Sequence, residues 1–124
     1  MARQSEFVDF VIELLAPIGE VRARAMFGGH GIYQRDTMFA IIVDDQLYFK
    51  ADNATRNKFT ALGLKPFTYA ARGKTIALQY YEAPTEVFDE AETMRNWAQQ
   101  AIAAALRTKR DKKSSSTAHR RTSR

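Results

Sequence analysis

The chain contains no cysteine, so it forms no disulfide and offers no thiolate to a metal or to nucleophilic catalysis. Proline is rare, with three among 124 residues, and no stretch reaches the roughly 18 consecutive apolar residues that cross a bilayer. The first residues lack the basic, apolar and small-residue succession of a secretory signal. Histidine is almost absent from the main part of the chain, where His30 stands alone. These absences lead us to expect a soluble cytoplasmic protein, without contact to membranes, whose stability comes from an apolar core.

The material for that core is present. Apolar residues make up 45% of the chain, including eight Phe, five Tyr and one Trp, enough for a single domain of this length. The net charge of +5 is unevenly placed. From Arg107 onward eight Lys or Arg face one acid, a local charge of +7, which leaves −2 on residues 1–106. The basic character therefore belongs to the end of the chain, and the body is mildly acidic. We expect a folded domain over residues 1–106 and a basic, disordered tail over residues 107–124, because Lys, Arg, Ser and Thr bury too little apolar surface to offset ordering entropy.

Periodicity outlines the elements. Ser5 suits a helix N-cap, and Phe7, Phe10, Val11, Leu14 and Leu15 follow the spacing of one buried helical stripe, ending near Ala16 before Pro17 and Gly19. Val21, Ala23 and Ala25 alternate with Arg22 and Arg24 as in a strand with one wet face. Met38 to Val43 is apolar at every position and reads as a central strand. Asp44-Asp45 reverses the chain into Gln46–Lys50. Asp52 is placed to cap a middle helix carrying Phe59 and Leu62 and stopping at Gly63. Residues 66–71 and 74–80 form a second hairpin about Arg72-Gly73. Asp89 with Glu92 resembles a capping box before a last helix bearing Met94, Trp97, Ala98, Ala101, Ile102 and Ala105. Strands in runs, without βαβ alternation, indicate an α+β fold. Its antiparallel sheet is built from a meander and a second hairpin, flanked by N-terminal, middle and C-terminal helices.

One segment stands out. Met26-Phe27-Gly28-Gly29-His30-Gly31 places three glycines within four residues, between large apolar side chains. A structural reversal at Gly28, Gly29 and Gly31 explains it better than ligand binding. The dinucleotide fingerprint fails at Gln34, and the phosphate-loop pattern ending in Gly73-Lys74-Thr75 fails at Thr68 and lacks a following helix. His30 has no nucleophile or acid spaced to join it, and Asp44-Asp45 lacks the neighbours of a calcium loop. No catalytic, cofactor-binding or metal-ligating residues are expected. Aromatics beside cations, as in Tyr48-Phe49-Lys50 and Tyr69-Ala70-Ala71-Arg72, fit single-strand stacking but are better explained as core with solvated charges.

The segment Met26-Phe27-Gly28-Gly29 followed by Gly31-Ile32-Tyr33 resembles the opening signature of the TfoX/Sxy N-terminal domain family. Met38-Phe39-Ala40, Leu47-Tyr48-Phe49-Lys50, Pro66-Phe67-Thr68-Tyr69, Tyr80-Tyr81-Glu82-Ala83-Pro84 and Trp97 continue the resemblance, in order, over residues 6–106. It implies an antiparallel sheet with helices at its sides and a non-enzymatic regulatory or interaction module. The implied setting is bacterial competence and transcription regulation, with a protein partner. The eponymous regulators carry a second domain, in whose place this chain is expected to have only its basic tail. The alternative is a nucleic-acid-binding protein acting without sequence preference through Arg107, Lys109, Arg110, Lys112, Lys113, Arg120, Arg121 and Arg124. A small-ligand site or enzyme ranks third.

Overall fold

Turn and capping residues set where each element starts. In the computed structural model, which describes residues 5–26 and 28–122 and their side chains as far as residue 110, the Ser5 hydroxyl accepts a hydrogen bond from the Val8 amide at 3.2 Å. This opens α1 (Glu6–Leu15), with Glu6 and Asp9 in the first turn, where the helix dipole favours acids. The buried stripe is Val8, Val11 and Leu15. Phe7 and Leu14 pack beside it, whereas Phe10, expected inside, is 40% exposed with its ring 6.2 Å from Phe88. Aliphatic side chains fit the seam against the last helix and the first strand, and the larger rings take its edge. A 3-10 turn, Ala16–Ile18, ends at Gly19 with φ of +84°.

Six strands follow: β1 (Val21–Met26), β2 (Gly29–Gln34), β3 (Thr37–Val43), β4 (Gln46–Lys50), β5 (Pro66–Ala71) and β6 (Lys74–Glu82). All pairings are antiparallel, in the order β1-β2-β3-β4-β6-β5. The meander and the second hairpin are thus joined through β4 and β6, and the expected α+β architecture is the one observed. Asp44 and Asp45 both adopt positive φ (52° and 58°) between the paired Val43 and Gln46. Arg72 and Gly73 do the same (52° and 77°) between Ala71 and Lys74. Two successive left-handed residues give the reversal whose twist matches that of paired strands.

The middle helix, α2 (Arg56–Ala61), starts later than expected. Asp52 Oδ1 accepts from the amides of Ala54 and Thr55, both at 3.1 Å, and so closes a turn ahead of the helix instead of capping it. The end matches expectation. The Leu64 amide donates to Phe59 O at 3.1 Å and the Gly63 amide to Thr60 O at 3.0 Å, with φ of +76° at Gly63. Leu62 lies on the outer side of that stop, 56% exposed, and not on the buried stripe with Phe59.

The last helix, α3 (Ala91–Thr122), begins after Glu90, whose carbonyl accepts from the Met94 amide and whose carboxylate accepts from the Thr93 hydroxyl at 3.3 Å. Asp89 instead ends a 3-10 turn, Thr85–Phe88, so the expected pairing of Asp89 with Glu92 gives way to Glu90. Met94, Ala98, Ala101 and Ala105 form the buried face. Trp97 packs at its margin, 5.2 Å from the Phe59 ring, which stacks on Tyr81 at 5.4 Å. The helix crosses the boundary expected after residue 106 without a break, since neither glycine nor proline occurs beyond it.

The three helices share one face of the sheet. There Ile32, Ala40, Ile42, Leu47, Phe49 and Tyr81 join Val11, Leu15, Phe59, Met94 and Ala98 in one cluster.

Candidate functional site on the open face of the sheet

Strand alternation sends the intervening residues to the opposite face. The register sets Arg22 beside Tyr33, Tyr33 beside Met38, Ile41 beside Tyr48, and Lys50 beside Tyr80. Between the strands lies a trough of about 540 Å³, lined by Met26, His30, Met38, Ile41, Val43, Phe67, Tyr69, Leu78 and Tyr80. That volume is ordinary for a small-molecule site, and so is a mostly apolar lining with few polar groups.

Two glycines shape this face. A Cβ on Gly29 would collide with the Ile42 carbonyl oxygen, so glycine lets β2 and β3 approach. A Cβ on Gly31 would lie 2.7 Å from Met38 Sδ and 3.1 Å from Met26 Sδ, so its absence makes room for both thioethers. Of the glycines expected to form the reversal, only Gly28 has positive φ, at +75°; Gly29 and Gly31 are strand residues. Met26 lines the trough, and Phe27 lies outside the described residues. His30 is half-buried in β2.

Polar groups border the face both where β4 meets β6 and, through Arg22, His30 and Tyr33, at β1 and β2. Burial pushes the Tyr80 hydroxyl up to about 12, with a smaller contribution from Tyr33. Tyr48 is also raised, chiefly by burial and then by Glu82 and Asp44. Lys50 Nζ lies over the Tyr80 ring, 5.2 Å from its centroid, and burial lowers the lysine below its usual range while Asp52 partly opposes this. Arg22 covers Tyr33 in the same way at 5.1 Å. Tyr48 meets Phe67 edge-on at 5.3 Å. The expectation that the aromatics of Tyr48–Lys50 and Tyr69–Arg72 fill the core is therefore corrected. Phe49 does, but Tyr48 and Tyr69 face away from the helices, because neighbours along a strand point to opposite sides.

The basic end of the chain is partly engaged by the body. Arg107 donates from Nε to Asp52 Oδ2 at 2.6 Å and from Nη2 to Oδ1 at 3.2 Å. Lys109 Nζ reaches Thr37 Oγ1 at 3.3 Å and Asp36 O at 3.4 Å, while Arg110 is exposed. The side chains of Lys112, Lys113, Arg120, Arg121 and Arg124 lie outside the described residues. Among the described residues no group of three or more His, Asp or Glu converges as a metal site would. No described helix is long and apolar enough to cross a membrane.

Sequence reasoning missed the trough. A signal was present in β3, which is apolar at both parities from Met38 to Val43. A strand with two apolar faces calls for cover on both.

A family model described as the TfoX N-terminal domain matches residues 13–105. DNA transformation protein TfoX1 of Aliivibrio fischeri is 29% identical over 87 residues, 70% of this chain and 39% of the relative. DNA transformation protein TfoX of Haemophilus influenzae is 33% identical over 82 residues, 64% of this chain and 38% of the relative. Protein Sxy of Escherichia coli is 26% identical over 97 residues, 78% of this chain and 46% of the relative. The chain thus spans less than half the length of each of these three relatives.

Proposed function

Because this chain belongs to the TfoX N-terminal domain family, we propose that it is a non-enzymatic regulatory module in the control of bacterial competence genes, working in the cytoplasm by binding and not by converting a substrate. The observation that carries this reading is the division of the sheet. Helices seal one face, and the other presents the apolar trough lined by Met38, Ile41, Leu78 and Tyr80. Adaptable thioethers and aromatic rings suit recognition. We take the open face as the surface through which the module is controlled, and a component of the transcription apparatus as its protein partner. Sequence-independent nucleic-acid contact through the basic end stands second, since Arg107 and Lys109 are engaged by the body.

A chimera tests the reading. In Haemophilus influenzae, residues 13–105 of this chain replace the aligned segment of the TfoX relative, and transformation frequency is measured. The chimera is expected to transform well above a strain deleted for that relative. A chimera that accumulates in folded form yet transforms no better than the deletion strain contradicts it.

A further inference from the structure

We infer that the trough is a binding site for a small anionic amphiphile, a monocarboxylate with an unbranched apolar chain. The chain lies along Met26, Met38, Ile41 and Leu78, and the carboxylate lies beside Lys50, next to Tyr80. This deepens the reading of the open face as the controlling surface and rests on it.

Three independent features lead there. The first is shape and lining: about 540 Å³ bounded by an almost wholly apolar wall across five of the six strands, with room for an extended chain. The second is adaptability. The atoms nearest the space that Gly31 leaves belong to the flexible side chains of Met26 and Met38, so the floor yields to a flexible guest without backbone movement. The third is charge. Lys50 is half-buried over the Tyr80 ring, and among the described residues it makes no ion pair. A half-buried cation loses hydration, and an anion on it restores the balance. Arg22, over Tyr33 on the same face, makes no ion pair among the described residues either and adds to the attraction. A nucleic acid fits less well. The wall, part aliphatic and part aromatic, offers few groups to pair with base edges, and residues 1–106 carry −2, which repels a polyanion.

The test is a methyl NMR titration of the full chain with decanoate, held below its micelle concentration, alongside decylamine and a short oligothymidylate. Decanoate is expected to shift the methyls of Met26, Met38, Ile41 and Leu78 saturably, and decylamine to bind more weakly. Lys50→Gln should weaken decanoate binding by about tenfold, the loss of one charge-assisted contact. Leu78→Trp, at a position 36% exposed, fills the trough and should abolish the shifts. If that variant fails to fold, Lys50→Gln and the decylamine comparison still decide. The inference is overturned if decanoate leaves these methyls unmoved, if decylamine binds as well as decanoate, or if the oligothymidylate shifts them in its place. The chimera is assayed for transformation without added decanoate and the titration is read without transformation, so the two readings fail separately.

Discussion

Arg107 and Asp52 join two parts of the chain 55 residues apart: the guanidinium on α3 holds both carboxylate oxygens of the turn that precedes α2, at 2.6 and 3.2 Å. The same carboxylate accepts the Ala54 and Thr55 amides, so one side chain shapes the turn and anchors the helix. Asp52 is 16% exposed and Arg107 34%, enough shielding for a paired-oxygen contact to matter and too little for the full value of a buried pair. Arg107→Ala is expected to cost about 1–2 kcal/mol in urea unfolding at neutral pH. A variant as stable as the parent would show that the pair contributes nothing.

The pair also sets an acid limit. The Arg107 hydrogen bond is the largest cause holding Asp52 below its usual 3.8, aided by the guanidinium charge and by Thr55. A carboxyl with a depressed folded value stabilises the fold above its unfolded value, and that contribution fades as pH falls through the folded one. The stability gap between the parent and Asp52→Asn should therefore be full near neutrality and shrink below about pH 4. Unfolding curves at several pH values read it directly; a gap constant down to pH 2.5 would contradict it.

Tyr80 supplies the opposite limb. Its hydroxyl is pushed up to about 12, so neutral tyrosine is favoured in the folded state. Stability from this group is intact below about pH 10 and declines as pH rises through the folded value. Absorbance titration near 295 nm should show a late tyrosine step that Tyr80→Phe removes. Its persistence in Tyr80→Phe would assign it elsewhere.

Gly28 and Gly29 are expected to respond differently. Gly28 has φ of +75° with open space about it, so Gly28→Ala should cost about 1 kcal/mol from backbone strain alone. Gly29 has ordinary strand geometry, but a Cβ would strike the Ile42 carbonyl, so Gly29→Ala should cost about 2 kcal/mol or more. Thermal melts compare them, and equal costs would refute the distinction.

The core rings give a further check. Phe59 is 3% exposed between Tyr81 and Trp97, and Phe59→Ala should cost about 3–5 kcal/mol. Trp97 fluorescence should shift to the red as water reaches the indole. A parent-like spectrum and melting temperature would move the core elsewhere.

Much of this was legible in the residues. The reversals at Asp44-Asp45 and Arg72-Gly73, the stop at Gly63 and the alanine stripe of α3 follow from local chemistry. What failed was the side on which certain residues lie. Phe10, Leu62, Tyr48 and Tyr69 are apolar or aromatic, and composition alone sends them inward; burial depends on which face the helices cover, a tertiary fact. The Asp52–Arg107 pair was equally hidden, because charge spacing carries no information across 55 residues. The trough needed both faces of β3 to be weighed together.

The most direct measurement is the transformation frequency of the Haemophilus chimera bearing Tyr69→Ser and Leu78→Glu, two partly exposed positions on the trough wall. This chimera is expected to accumulate and melt like its parent while transformation falls toward that of the deletion strain. Undiminished transformation by the stably folded double variant would contradict the claim that the uncovered side of the sheet carries the function.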